Sequence, residues 1–148
     1  MALDWKVVFD ASDPHNQTLF WSEALGYEIE DNSALIKQLL SAGAIEEDLC
    51  VEFQGRLFFR DLAAVRHPDD PFDPVNGTGQ GRRLLFNRVP EPKSVKNRVH
   101  LDIHAGPERD ATVARLQEHG ATLIRHVKEQ GGEWTVLADP EGNEFCVT

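Results

Sequence analysis

Along residues Trp5 to Ala11 apolar and polar positions alternate. Val7, Phe9 and Ala11 share one face and Lys6, Val8 and Asp10 the other, the period of a half-buried strand. Asp13-Pro14 then places a capping residue before a proline at the first helical position, and Leu19, Phe20, Trp21, Ala24 and Leu25 recur at helical spacing until Gly26. A helix is predicted from about Pro14 to Leu25. Tyr27 to Glu30 reads as a short strand, and Ser33 to Ala42 as a second helix with Leu35, Ile36, Leu39 and Leu40 at helical spacing, ahead of Gly43 and the acidic Glu46 to Asp48. Val51 to Phe59 alternates again around Gly55, as in a hairpin, and Leu62 to Val65 continues as a strand.

Pro68, Pro71, Pro74, Gly77, Gly79 and Gly81 exclude a regular element between Arg66 and Gly81, so a long mobile connection is expected there. The glycines of this loop match no phosphate-binding pattern. Arg82 to Val89 resumes as a strand, and Pro90 to Lys96 forms a polar bridge. Val99 to Ala105 then alternates Leu101 and Ile103 against His100, Asp102 and His104; Pro107 opens a helix that Gly120 stops; Thr122 to Val127, Trp134 to Ala138 and Glu144 to Val147 follow as strands. Shifting the first half by 94 residues brings Lys6 onto His100, Val7 onto Leu101, Phe9 onto Ile103 and Gly26 onto Gly120, with the apolar faces in phase. The expectation is an internal duplication of a β-α-β-β-β unit within an α+β fold.

Composition narrows the function classes. The 148 residues suit one domain, here one domain over 1–148, with module one at 1–92 and module two at 97–148. Module one carries an inserted helical segment at about 31–48 and the loop 66–81. A net charge of -10 opposes general nucleic-acid binding, and no apolar run is long enough to span a bilayer. The opening MALDWKVVFD has neither the basic start nor the apolar run of a secretory leader, and two cysteines, Cys50 and Cys146, make no disulfide framework, so a cytoplasmic setting is expected. Six basic residues and one acid between Arg82 and Arg98 give that segment a charge of +5. Such a run either steers a small anion toward the strand of Arg88 or is a solvated bridge paired with acidic helices.

His100 and Glu144 are the sharpest chemical pair, residue types that ligate divalent metals, on the first and last strands of the second unit. Alternation puts His100, Asp102 and His104 on one face, and Glu144 with Cys146 on another, leaving Phe145 and Val147 to pack on the helix. These polar faces either meet in a cavity or form an ordinary solvated sheet face. Asp139-Pro140-Glu141-Gly142-Asn143 lacks the spacing of a calcium loop and reads as a tight turn. Trp134 shares a face with Val136 and Ala138, where it either stacks on a flat ligand or fills a core. Cys146 is a nucleophile only if a base lies beside it, and otherwise inert filling.

Phe20-Trp21 with Leu25-Gly26-Tyr27, the run Arg83 to Lys93, Lys96-Asn97-Arg98-Val99-His100-Leu101-Asp102, and Ala138 to Val147 resemble the glyoxalase-like branch of the vicinal oxygen chelate superfamily, over essentially the whole chain. The resemblance implies two βαβββ modules whose mixed sheets curl into an open barrel around a ligand cavity, commonly in a homodimer. It also implies a divalent metal (Zn, Ni, Mn or Fe) held by His, Gln or Glu on the first and last strands, positions matched here by His100 and Glu144. Module one departs from that pattern, with Lys6 opposite His100 in the repeat and Asn87 or Arg88 where a glutamate is expected. The expected function is therefore binding of a small organic molecule in the cavity without a complete metal site. His100, Asp102, His104 and Glu144 would supply hydrogen bonds, Trp134 an aromatic wall and Lys6 or Arg88 a countercharge, with Asp10 and Cys146 also ligand-facing. The alternative is a metal-dependent lyase, isomerase or dioxygenase of the glyoxalase I type, or a metal-free route in which His100 and Glu144 form the catalytic proton-transfer pair.

Overall fold

The two main sheets bury apolar strand residues against two of the helices. The computed structural model describes residues 1–148. In the first half β1 (Val7–Ala11) leads into α1 (Pro14–Leu25), whose first turn is capped by the Asp13 carboxylate accepting from the backbone N–H of His15 and Asn16 and whose end is turned by Gly26 at φ 66°. β2 (Glu28–Ile29) follows, then α2 (Ser33–Ser41) and a separate hairpin of β3 (Cys50–Phe53) and β4 (Arg56–Phe59). β5 (Leu62–Arg66) and β6 (Arg83–Arg88) return to the main sheet, where β1 pairs in parallel with β6, in the order β1-β6-β5-β2.

The second half repeats that path with β7 (Asp102–Ile103), α3 (Arg109–Glu118), β8 (Thr122–Glu129), β9 (Gly132–Ala138) and β10 (Glu144–Val147). Its order, β7-β10-β9-β8, is the same topology, again with the first strand parallel to the last. The two-module α+β architecture expected from the shifted repeat is thus the observed one. One strand is shorter than its pattern: β7 covers two residues, whereas Val99 to Ala105 was the expected span. Only Asp102 and Ile103 lie opposite β10, at Cys146 and Val147. Upstream the chain is held instead by Asn97, which bonds Glu144 and Asn143; downstream Ala105 and Gly106 donate to the Thr148 carbonyl.

The two sheets share one core. Phe20, Trp21 and Ala24 of α1, Leu84 and Phe86 of β6, Leu116 of α3, Leu137 of β9 and Phe145 and Val147 of β10 form one buried cluster. Trp21, fully buried, meets Phe145 edge to face at 5.2 Å between centroids and stacks on Phe9 at 5.7 Å. The indole N–H is satisfied from the other module, by the buried Asp139 carboxylate at 3.0 Å, which also accepts from Gln17 Nε2 at 2.7 Å. The same turn sends Glu141 back to accept the backbone N–H groups of Ser12 and Asp13. The Asp139 to Asn143 segment is therefore a tight turn, with Gly142 at φ 89°, that clamps the start of α1.

The loop after β5, expected to be mobile, is tied down by charge. Glu30, 3 % exposed, accepts from the Gly79 N–H and from both ends of the Arg83 guanidinium at 2.7 and 2.8 Å. Arg82 grips Asp70 through its side chain and its backbone N–H, holding that carboxyl far below the usual carboxylate range. Arg66 lies over the Phe72 ring at 3.8 Å. On the other side of α1, His15 is buried against Phe53 and Phe58 of the hairpin, and burial lowers its pKa, so it stays neutral at pH 7.

Asp139→Asn tests the clamp. Each oxygen of Asp139 accepts from N–H donors, so an amide in either orientation sets an NH2 group against donors. The isosteric variant is expected to lose about 3 kcal/mol of unfolding free energy in urea at constant m. A loss below about 0.5 kcal/mol would show that the turn does not hold the modules together.

Candidate functional site

The outer face of the second sheet carries the candidate chemistry. Because β10 buries Phe145 and Val147, it turns Glu144 and Cys146 the opposite way, and β9 adds Trp134 and Val136 to that side. With β7 alongside, they line a cleft of about 730 Å³ bordered by Lys96, His100, Asp102, Ile124, Arg125 and Thr148. The volume suits a small organic ligand.

Asp102 and Cys146 are register partners on the parallel strands β7 and β10, and His100 Nε2 lies 3.4 Å from Asp102 Oδ1. One ligand atom each from His100, Asp102 and Cys146 falls within 4.8 Å of the others. Burial, then the neighbouring Asp102 charge and a hydrogen bond to it, push the Cys146 thiol up, so at neutral pH it is an uncharged donor rather than a nucleophile.

Glu144 lines the cleft but belongs to a different group. Its carboxylate accepts from Lys93 Nζ at 3.2 Å and from the Asn97 N–H at 3.0 Å. Burial would raise its pKa, but its own backbone N–H, that of Asn97 and the Lys93 ammonium outweigh burial and hold it below the usual carboxylate range. Stability from this tether is present above the ordinary carboxylate range and fades as pH falls through the lower folded value. Glu144 anchors the bridge between the modules to β10.

Five of the residues singled out from sequence meet in this cleft: His100, Asp102, Trp134, Glu144 and Cys146. Four do not. His104 lies beyond the end of β7, its Nδ1 2.8 Å from Thr148 Oγ1. Arg88 is spent on the Ser12 and Arg60 carbonyls and on Asp61. Lys6 and Asp10 line two grooves at the seam between the sheets, which adjoin the cleft at Asp102 and His100 respectively. Every residue bordering the cleft comes from Lys96 onward, so the countercharges proposed from module one stand elsewhere.

Lys96, Ile124 and Arg125 were not singled out. Lys96 stood out only as one member of the basic run and as the first residue of the Lys96 to Asp102 stretch, with no role of its own. Strict alternation would send Ile124 and Arg125 to opposite faces, but the β8–β9 register slips between Leu123 and Arg125, and both side chains border the cleft. No sequence signal marks that slip.

The comparisons agree with the fold. A family model described as a glyoxalase-like domain matches residues 6–148. The chain belongs to the glyoxalase-like domain family, within the vicinal oxygen chelate superfamily. Among solved structures, this glyoxalase-like chain is similar to a glyoxalase/bleomycin resistance protein/dioxygenase family enzyme from Burkholderia phytofirmans PsJN, at 15% identity and a TM-score of 0.59, covering 96% of this chain and 94% of that one. It is also similar to the bleomycin-binding protein of Streptomyces verticillus complexed with copper(II)-bleomycin (20% identity, TM-score 0.53, 100% and 96% covered). A third similarity is to a variant of the fosfomycin resistance protein FosX from Listeria monocytogenes, complexed with Mn(II) and a dihydroxypropylphosphonic acid (9% identity, TM-score 0.59, 99% and 89% covered). At these identities the likeness concerns the fold. No curated protein sequence matches the chain. No helix is long and apolar enough to cross a membrane.

The state of Cys146 can be read directly. In a Cys50→Ser background, iodoacetamide alkylation of Cys146 is expected to titrate above the ordinary thiol range, and Asp102→Asn should move the midpoint down. A midpoint within the ordinary range in the unaltered site, or no movement in the variant, would contradict this electrostatic picture.

Proposed function

We propose that this protein binds a small organic molecule in the cleft of module two, without depending on a complete metal site, and does so as a cytoplasmic homodimer. The observation that carries the reading is the convergence of three polar groups, His100, Asp102 and Cys146, in a pocket with an apolar wall of Trp134, Val136 and Ile124. Apolar walls with a few placed donors and acceptors are the usual makeup of a small-ligand site. The uncharged thiol and the His100–Asp102 pair offer hydrogen bonds, and Trp134 offers a flat surface for stacking. Two of the similar solved structures support this reading, one holding copper(II)-bleomycin and the other a dihydroxypropylphosphonic acid.

A second reading is favoured by the same three residues. A nitrogen, an oxygen and a sulfur donor beside open space fit a borderline divalent ion such as zinc, with His100, Asp102 and Cys146 holding it and Glu144 withheld by Lys93. Bound there, a metal would supply Lewis-acid polarisation of a ligand carbonyl, as expected of a lyase, isomerase or dioxygenase. Around it, Trp134 would orient the ligand and His100 would position the Asp102 carboxylate.

A thermal-shift screen of small metabolites, with elemental analysis after chelation and re-addition of Ni, Zn, Mn, Fe and Mg, separates the two. A ligand at a hundredfold excess over its Kd should stabilise the chain by about 2.7 kcal/mol, a rise of several degrees, in chelated protein. That rise should disappear in His100→Ala and Trp134→Ala. About one metal per chain, lost in His100→Ala and required for the shift, would replace this reading with the metal-dependent one. No shift with any compound would overturn both.

A further inference from the structure

The cleft has a charge asymmetry that its acids do not relieve. Each of its carboxylates has a partner: Glu144 is paired with Lys93, and Asp102 faces His100 and Cys146. Its two permanent cations have none. Lys96 Nζ reaches only the Asn97 main-chain carbonyl at 3.1 Å, and Arg125 makes no ion pair or side-chain hydrogen bond. Elsewhere in the chain Arg60, Arg66, Arg82, Arg83, Arg88 and Arg109 are matched to carboxylates, whereas Arg115 reaches only the Glu23 carbonyl. In a protein of net charge -10, these two cations stand at one cleft without a carboxylate partner. Both lie near enough to Cys146 to pull its thiol pKa down against burial and Asp102.

Arg125 is brought there by a specific feature of the backbone. A regular β8 would alternate, sending either Ile124 or Arg125 away. The slip between Leu123 and Arg125 turns both toward the cleft, so an apolar and a cationic group stand together at its wall, across from Trp134 and Val136. Bulges that re-aim a side chain in this way are concentrated beside functional sites.

We infer that the cleft selects organic anions: a small molecule with a flat or apolar body against Trp134, Ile124 and Val136 and a carboxylate or phosphate-type head between Arg125 and Lys96. This inference rests on the ligand-binding reading of the same cleft. Arg125 offers the planar fork that matches a two-oxygen head, and Lys96 adds a mobile point charge from the bridge between modules. Cationic ligands are disfavoured by the same two groups.

Three matched probes test it: naphthalene-2-carboxylate, its neutral carboxamide and 2-naphthylmethylammonium, titrated calorimetrically into the full chain at low and high salt. The carboxylate is expected to bind at least tenfold more tightly than the carboxamide, with the gap narrowing in high salt. Arg125→Gln and Lys96→Gln should each shrink that preference while leaving carboxamide binding in place, which also shows that the variants are folded. Equal binding of carboxylate and carboxamide, or tightest binding of the ammonium probe, overturns the charge selectivity and leaves the cleft as a ligand site. Binding of none of the three also overturns the inference, and the broad metabolite screen then decides separately whether the cleft binds anything.

Discussion

The buried carboxylate of Asp139 is the constraint on which the rest of the structure depends. It sits in a turn of the second module yet accepts hydrogen bonds from Gln17 and Trp21 of the first, while its neighbour Glu141 reaches the backbone at the entry to the same helix. A charge this deeply buried is tolerable only because donors surround it. Once it is placed, the orientation of α1 over both sheets follows, and so does the edge-to-face packing of Trp21 on Phe145. Phe145 faces the core because of that packing, and alternation then presents Glu144 and Cys146 to the cleft.

The two modules share a strand order but divide the work. Module one spends its charges on structure, closing its long loop with Glu30–Arg83 and Asp70–Arg82 and fixing Arg88 between two carbonyls and Asp61. It also carries the additional α2 and a hairpin whose Phe53 and Phe58 pack against buried His15. Module two leaves polar side chains unspent on one sheet face. A duplicated fold thus holds one half whose charges are largely paired within it and one half with a cleft of polar side chains.

Electrostatics within the cleft separates roles that residue type alone would merge. Glu144 and Asp102 are both carboxylates on neighbouring strands, yet Glu144 is locked to Lys93 and Asn97 while Asp102 faces a histidine and a thiol. Burial first, and then that carboxylate, raise the thiol, and Asp102 stands beside Cys146 through register, since the two lie directly opposite.

Much of this was legible in the chain itself. The shifted repeat, the capped helix from Pro14 to Leu25, the hairpin around Gly55 and the sharing of a face by Trp134 and Val136 are local or periodic, and periodicity is written in one dimension. So was the sharing of one face by His100 and Asp102 and of another by Glu144 and Cys146, whereas alternation left open whether those faces meet. What needed the tertiary structure was everything set by partners distant in sequence. The loss of Arg88 to Asp61, the capture of Glu144 by Lys93 and the position of Lys6 and Asp10 at the seam rather than in the cleft depend on which side chains meet across the fold. The arrival of Arg125 beside Ile124 depends on a register slip. Alternation fixes the face of a residue only while register holds, and register is decided between strands rather than along one.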